Sequence, residues 1–153
     1  MAALINRAFA VEAWFVDGDR TSPGEVRRLI EGPRGGFLLA TDERGLAGCV
    51  YAEQRTPGRG YIGLLAVDET RQARGIGQTL MALAEGRLAA SGCRVVEITV
   101  VNLRGELFPL YERLGYRQDG PIVTFPRVAK LPCHLVTMTK RLAPDPRSPF
   151  PDP

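Results

Sequence analysis

The spacing of apolar and polar residues changes along the chain, and each change marks an element. The opening stretch mixes apolar residues with Asn6, Arg7 and Glu12, so "VEAWFVDGDRTSPGEVRRLIEG" reads as a short helical or irregular start, a polar turn at Asp17 to Asp19, and then a helix. Thr21 or Ser22 supplies the N-cap oxygen of that helix, Pro23 suits its first turn, and Gly32-Pro33 ends it. Val26, Leu29 and Ile30 form its apolar face. "GFLLAT" and "LAGCVYAEQ" are apolar, partly β-branched runs separated by "DERG", which predicts a hairpin. A loop, "RTPGRG", leads to a third strand, "YIGLLAV".

From about Gly75 to Ser91 the period becomes helical. Ile76, Leu80, Leu83, Ala84 and Leu88 fall on one stripe, and Gly92 is placed as terminator. "CRVVEITVV" is a nearly continuous β run of the kind buried on both faces, which completes a βαβ unit. "GELFPLYERLG" reads as a short helix that Pro109 shortens or bends and Gly115 ends, and "PIVTF" and "CHLVTMT" read as two closing strands. A hairpin, a βαβ unit, a helix and a strand pair predict an α/β fold with a mixed sheet and helices on its faces. The expected domain spans residues 1–142, and the proline-rich residues 143–153 are expected to form a flexible tail.

Length and composition change this picture little. At 153 residues and 44% hydrophobic content, one domain with a substantial core is the default. Of 20 basic residues only Lys130 and Lys140 are lysine, but the arginines are scattered among 17 acids without a run, so no nucleic-acid stripe is indicated. Cys49, Cys93 and Cys133 are odd in number and lack C-x-x-C spacing, which argues against a disulfide framework and against a structural metal site. With no apolar run of signal-peptide or transmembrane length, the reading is a soluble, cytoplasmic protein.

The candidate chemistry lies in "LLAVDETRQARGIGQTLMALAE". Gly75 and Gly77 weaken a helix start, so bare backbone must be wanted there. A strand, a glycine-bearing loop and a helix N-terminus make an anion site, because unpartnered N–H groups converge with the positive end of the helix dipole. The dinucleotide fingerprint fails at its third glycine, which is Leu80, and the Walker A loop fails for want of G-K-[ST].

"QARGIG", Gln72 to Gly77, resembles the Q/R-x-x-G-x-G/A signature of the GNAT acetyltransferase superfamily, and "LYERLGY", Leu110 to Tyr116, resembles that family's closing motif. The resemblance covers roughly Gly36 to Leu142. It implies a mixed, mostly antiparallel sheet with a splayed central strand pair and helices on both faces, and acetyl-CoA as cosubstrate. The backbone of Leu65, Ala66 and Val67 would then pair with pantetheine, and one N–H would face the thioester oxygen as an oxyanion donor. Diphosphate contacts would come from Gln72, Ala73, Arg74, Gly75, Ile76, Gly77 and Gln78, with Arg71 and Arg74 available for phosphate charge. Asn102 matches a family asparagine near the cofactor, and Tyr111 matches the tyrosine that protonates the departing thiolate.

The base is not specified: some relatives carry a glutamate on the strand before the loop, whereas Tyr61 stands near that position here. Glu53, Glu97, His134 or a water chain remain candidates. The N-terminal "WFVDGDRTS" is expected on the acceptor side, where Asp17 and Asp19 would attract a cation and Arg20 an anion. The resulting expectation is an acetyl-CoA-dependent N-acetyltransferase acting on an amine, without metal, nucleic acid or membrane and with a homodimer allowed. A module that binds acetyl-CoA or CoA with little turnover is the alternative.

Overall fold

The computed structural model describes residues 1–143, so the proline-rich segment from residue 144 lies outside the described residues. An N-terminal helix not anticipated from the sequence, α1 (Ala2–Phe9), continues into a single 3-10 turn at Ala10–Glu12. Its signal is Leu4 and Ile5, both buried, repeated four residues on by Ala8 and Phe9. Helix α2 (Pro23–Glu31) starts on Ser22, whose Oγ accepts from Glu25 N at 3.2 Å while Ser22 N donates to Glu25 Oε2 at 2.8 Å. This reciprocal capping box explains the clean start. Of the expected face only Val26 is buried, and Ile30 is exposed.

The strands are β1 (Gly35–Asp42), β2 (Gly45–Thr56), β3 (Arg59–Val67), β4 (Val95–Val101), β5 (Ile122–Thr124) and β6 (His134–Arg141). They form one sheet in the order β1-β2-β3-β4-β6-β5, in which only β3 and β4 run parallel. The loop expected between β2 and β3 shrinks to a turn at Pro57 and Gly58, because Thr56 and Arg59 already pair. Polar residues at the outer end of that hairpin hide its length from the apolar pattern.

Helices α3 (Ile76–Ala90) and α4 (Leu107–Arg113) cover one face, over a core that includes Val50, Ile62, Leu80, Ala84, Leu88, Val96, Tyr116 and Met138. On the other face α1 and α2 pack over Cys49 and Ala66, with Leu64 beside them. In α3 the inward stripe is Leu80, Met81, Ala84 and Leu88, whereas Leu83 is 55% exposed. At about 100° per residue Leu80, Ala84, Leu88 and Met81 follow one another across an arc of about 100°, and Leu83 falls about 60° outside it on the Leu80 side.

The central strand pair opens into a fork. β3 and β4 pair only through Arg59↔Val95, Gly60↔Val96 and Tyr61↔Glu97. Beyond Tyr61, β3 turns away because its register with β2 shifts between Cys49 and Tyr51, with Leu64 at φ +50°. An extra residue in one strand bends and twists it. β4 stays in place, laddered to β6 from Val95↔Arg141 to Val101↔Leu135. The β3 edge that faces β4 is therefore left without a ladder partner past Tyr61 among the described residues.

Candidate active site

The loop after β3 is built by local hydrogen bonds and two left-handed residues. Asp68 Oδ1 accepts from Thr70 N at 2.9 Å and from Thr70 Oγ1 at 2.7 Å, which caps a 3-10 turn over Glu69–Arg71. Ala73 at φ +61° and Gly75 at φ +75° then turn the chain into α3, whose start has no side-chain cap. Its first N–H groups are thus left for a ligand or solvent.

The glycines differ in what they need. At Gly75 the backbone itself disfavours a side chain, although space is open. Gly77 is helical, and a Cβ there would meet Val67 Cγ2 at 3.7 Å and Leu65 Cδ2 at 4.0 Å, ordinary contact distances. The fold does not require glycine at 77. A cavity of about 550 Å³ lies between this helix start, β3 and α4, and Gly77 lines it with Leu65, Val67, Gln72, Ala73, Gly75, Ile76 and Gln78.

Three of the residues expected at the cofactor, Ala66, Arg74 and Asn102, are not among those that line this cavity. Ala66 points its side chain into the α1–α2 core, and Arg74 is exposed outside the cavity lining. Asn102 accepts from His134 N through Oδ1 at 2.8 Å, which ties the end of β4 to the start of β6. Arg71, expected to be available for phosphate, is 5% exposed and committed to the β1–β2 turn. It contacts Asp42 Oδ1 at 3.1 Å and donates to the carbonyls of Gly45 at 3.2 Å and Arg44 at 3.3 Å. Its position immediately before the loop conceals that inward role.

A second cavity of about 200 Å³ occupies the fork, with walls from both sheet faces. It shares Ala8, Leu65, Met81, Leu107, Leu110 and Tyr111 with the loop cavity, so the two adjoin along these residues. Tyr111 stands at the junction, with no hydrogen-bond partner for its hydroxyl among the described residues. Its ring packs edge-on to Tyr116 at 5.9 Å. Tyr116 is anchored in turn by donating to Glu85 Oε1 at 2.9 Å, and Lys140 Nζ pairs with Glu85 at 2.7 Å. Burial pushes the Tyr111 phenol above its ordinary pKa, against the opposing charge of Arg104. The hydroxyl therefore keeps its proton at neutral pH.

At the apex of the fork the Tyr61 hydroxyl lies 3.4 Å from Thr99 Oγ1 and its ring stacks 3.6 Å from the Arg55 guanidinium. A Cβ on Gly63 would come within 2.6 Å of the Tyr61 hydroxyl, so glycine there lets the ring lie along the strand. The three side chains considered as bases are not in the cavity wall. Glu53 binds Tyr51 and Arg55, each at 2.9 Å, and Glu97 pairs with Arg59 at 2.6 Å at the closed end of the fork. At the start of β6, Leu135 lines the cavity and His134 does not.

The acid that does line it is Glu12, which no motif in the sequence singles out. Glu12 is 6% exposed and faces Arg104 Nη1 at 3.4 Å across 92 positions of sequence. Burial pushes its carboxyl above the ordinary value despite Arg20, Arg104 and Arg127. A lone acid inside "AFAVEAWFV" is the available signal. Of the residues expected on the acceptor side, Arg20 lines the fork, whereas Asp17 is exposed and pairs with Lys130 at 2.8 Å.

A forked parallel strand pair, a glycine loop at a helix start and a tyrosine that lines two adjoining cavities make up the site. The chain matches the acetyltransferase (GNAT) family over residues 5–116 and belongs to it. Solved structures agree in fold. A protein from Desulfovibrio desulfuricans assigned to the GNAT family is 22% identical, with 93% of this chain and 92% of that one covered at a TM-score of 0.68. The ribosomal-protein-S18-alanine N-acetyltransferase from Escherichia coli is 16% identical, with 98% and 95% covered at 0.71. A GNAT family acetyltransferase from Elizabethkingia anophelis, solved with acetyl-CoA bound, is 17% identical, with 79% and 84% covered at 0.64. Among the described residues no helix is long and apolar enough to cross a membrane.

Proposed function

We propose that this chain is an acetyl-CoA-dependent N-acetyltransferase that transfers the acetyl group directly to an amine. The observation that carries the reading is that the loop cavity and the fork cavity adjoin at Tyr111, which lines both. A thioester held from the loop side and an amine held from the fork side would meet there. The donor set fits the diphosphate of the cosubstrate: uncapped N–H groups at the start of α3, a left-handed loop, and a glycine at 77 that the fold does not need. The unpaired edge of β3 around Leu65 and Val67 fits an extended amide-bearing chain, which adds to a sheet edge as a strand would.

In the transfer, the amide C–N bond forms and the thioester C–S bond breaks. An ammonium acceptor loses one proton to become a nucleophile and a second as the bond forms; Tyr111 supplies one to the thiolate and is reprotonated, so one proton is released to solvent. Acetyl-CoA titration by calorimetry, paired with a thiol-release assay over amines, amino acids, polyamines and peptides, tests the reading. Absence of acetyl-CoA binding would remove it. Binding without thiol release across the panel would favour a binding module instead.

A further inference from the structure

The α1 side of the fork cavity carries more positive charge than its own residues answer. Arg104 pairs with buried Glu12 at 3.4 Å and also with Glu106, so its charge is met twice. Arg20 is different. Its guanidinium stacks 4.9 Å over the Phe9 ring, and its Nε is shut off from solvent without a hydrogen-bond partner among the described residues. Neighbouring acids do not supply one, since Asp17 is held by Lys130 at 2.8 Å, and Arg127 turns to the carbonyls of Asp17 and Gly18.

Glu12 acts on Arg20 through space without bonding to it, so the guanidinium is kept partly out of water without a hydrogen-bonded anion, and its planar fork matches a carboxylate in two-point geometry. Glu12 offers the opposite charge in the same cavity, and Phe9, Tyr61 and Val100 add apolar or aromatic wall. With a volume of about 200 Å³ the cavity suits a small molecule; a protein cavity of about 150 Å³ holds benzene.

Resting on the acetyltransferase reading above, we propose that the acceptor is a small amino acid, its carboxylate received by Arg20 and its ammonium group by Glu12. Glu12 takes the first ammonium proton and passes it to solvent. The freed lone pair forms the C–N bond as the C–S bond breaks, the second nitrogen proton leaves by the same route, and Tyr111 protonates the thiolate. Burial, which favours the protonated form of Glu12, suits a group that must accept a proton. Arg104 holds Glu12 in place and so acts as a positioning residue.

The experiment compares matched pairs: amino acids against their decarboxylated amines and their amides, with an N-terminal peptide series alongside. Binding to the full chain is read by calorimetry with and without CoA, and kcat/KM is read with acetyl-CoA saturating. At least one amino acid is expected to exceed its decarboxylated and amidated partners by tenfold or more, both in affinity and in kcat/KM. Arg20→Gln is expected to abolish that preference by raising KM for the amino acid while acetyl-CoA affinity holds. Equal or better performance of neutral partners or of peptides, or no amino acid binding at all, overturns the proposal. The wild-type preference decides the matter even if the Arg20 variant misfolds. Because acetyl-CoA binding is measured separately, failure of the acetyltransferase reading is distinguishable from failure of this one.

Discussion

Gly77→Val separates what the fold needs from what the ligand needs. Valine lowers helix propensity by up to about 0.7 kcal/mol relative to alanine, but glycine lowers it by about 1, so the exchange is close to neutral for α3. The new Cβ finds Val67 Cγ2 at 3.7 Å and Leu65 Cδ2 at 4.0 Å, distances that require no repacking at that atom. The ligand-free melting temperature should therefore stay within about 2 °C, given roughly 2–4 °C per kcal/mol for a chain of this size. The side chain nonetheless enters the cavity between β3 and the helix start, where N–H bonds to a diphosphate are each worth about 1.5–3 kcal/mol. Loss of one such bond weakens acetyl-CoA binding at least about tenfold, or about 1.4 kcal/mol. At saturating ligand the thermal stabilisation by acetyl-CoA should then shrink by roughly 3–6 °C. Scanning fluorimetry with and without ligand, and calorimetric titration, measure both quantities. A folded variant with unchanged affinity would refute the assignment of the loop to the diphosphate; Gly77→Ala should fall between.

Tyr111→Phe keeps the ring against Tyr116 and removes the proton, so kcat should fall roughly ten- to a hundredfold with acetyl-CoA affinity little changed. Wild-type turnover, with chemistry rate-limiting, would return Tyr111 to a packing role. Arg71→Met should lower stability by about 2 kcal/mol, or about 4–8 °C in melting temperature, because it removes buried charge-assisted bonds to the β1–β2 turn. An unchanged melting temperature with lost acetyl-CoA affinity would instead make Arg71 a phosphate ligand. Under native conditions at pH 8 a thiol reagent should label Cys133 quickly and the other two slowly. Cys49 and Cys93 are fully buried, and burial raises both thiols, that of Cys49 to about 11, so the reactive thiolate is scarce. Rapid labelling of all three would contradict that packing.

Local features are legible in the order of residues itself. The βαβ unit, the helix start at Thr21 or Ser22 and the loop carrying Gly75 and Gly77 depend on neighbours within a few residues, and the apolar periods, the cap residues and glycine placement expose them. Edges of elements are less legible. The polar end of the β2–β3 hairpin lacks an apolar period, and Leu83 and Ile30 are apolar residues whose exposure is decided by which arc of a helix meets the sheet.

Contacts between distant segments were the tertiary structure's to decide. Arg71 belongs to the turn after β1 through residues 26 and 27 positions away. Asn102 belongs to β6, and the fork exists because a bulge in β3 is laddered to β2 while β4 is held straight by β6. Glu12 and Arg104 meet across 92 positions. A charge in a chain of 153 residues has many equally plausible partners, and nothing in its immediate sequence chooses among them. The sequence determined where backbone was left bare at the start of α3; packing of α1 and the β4–α4 connection against the sheet decided which charges face the fork, because only burial excludes water and makes one pairing matter more than another.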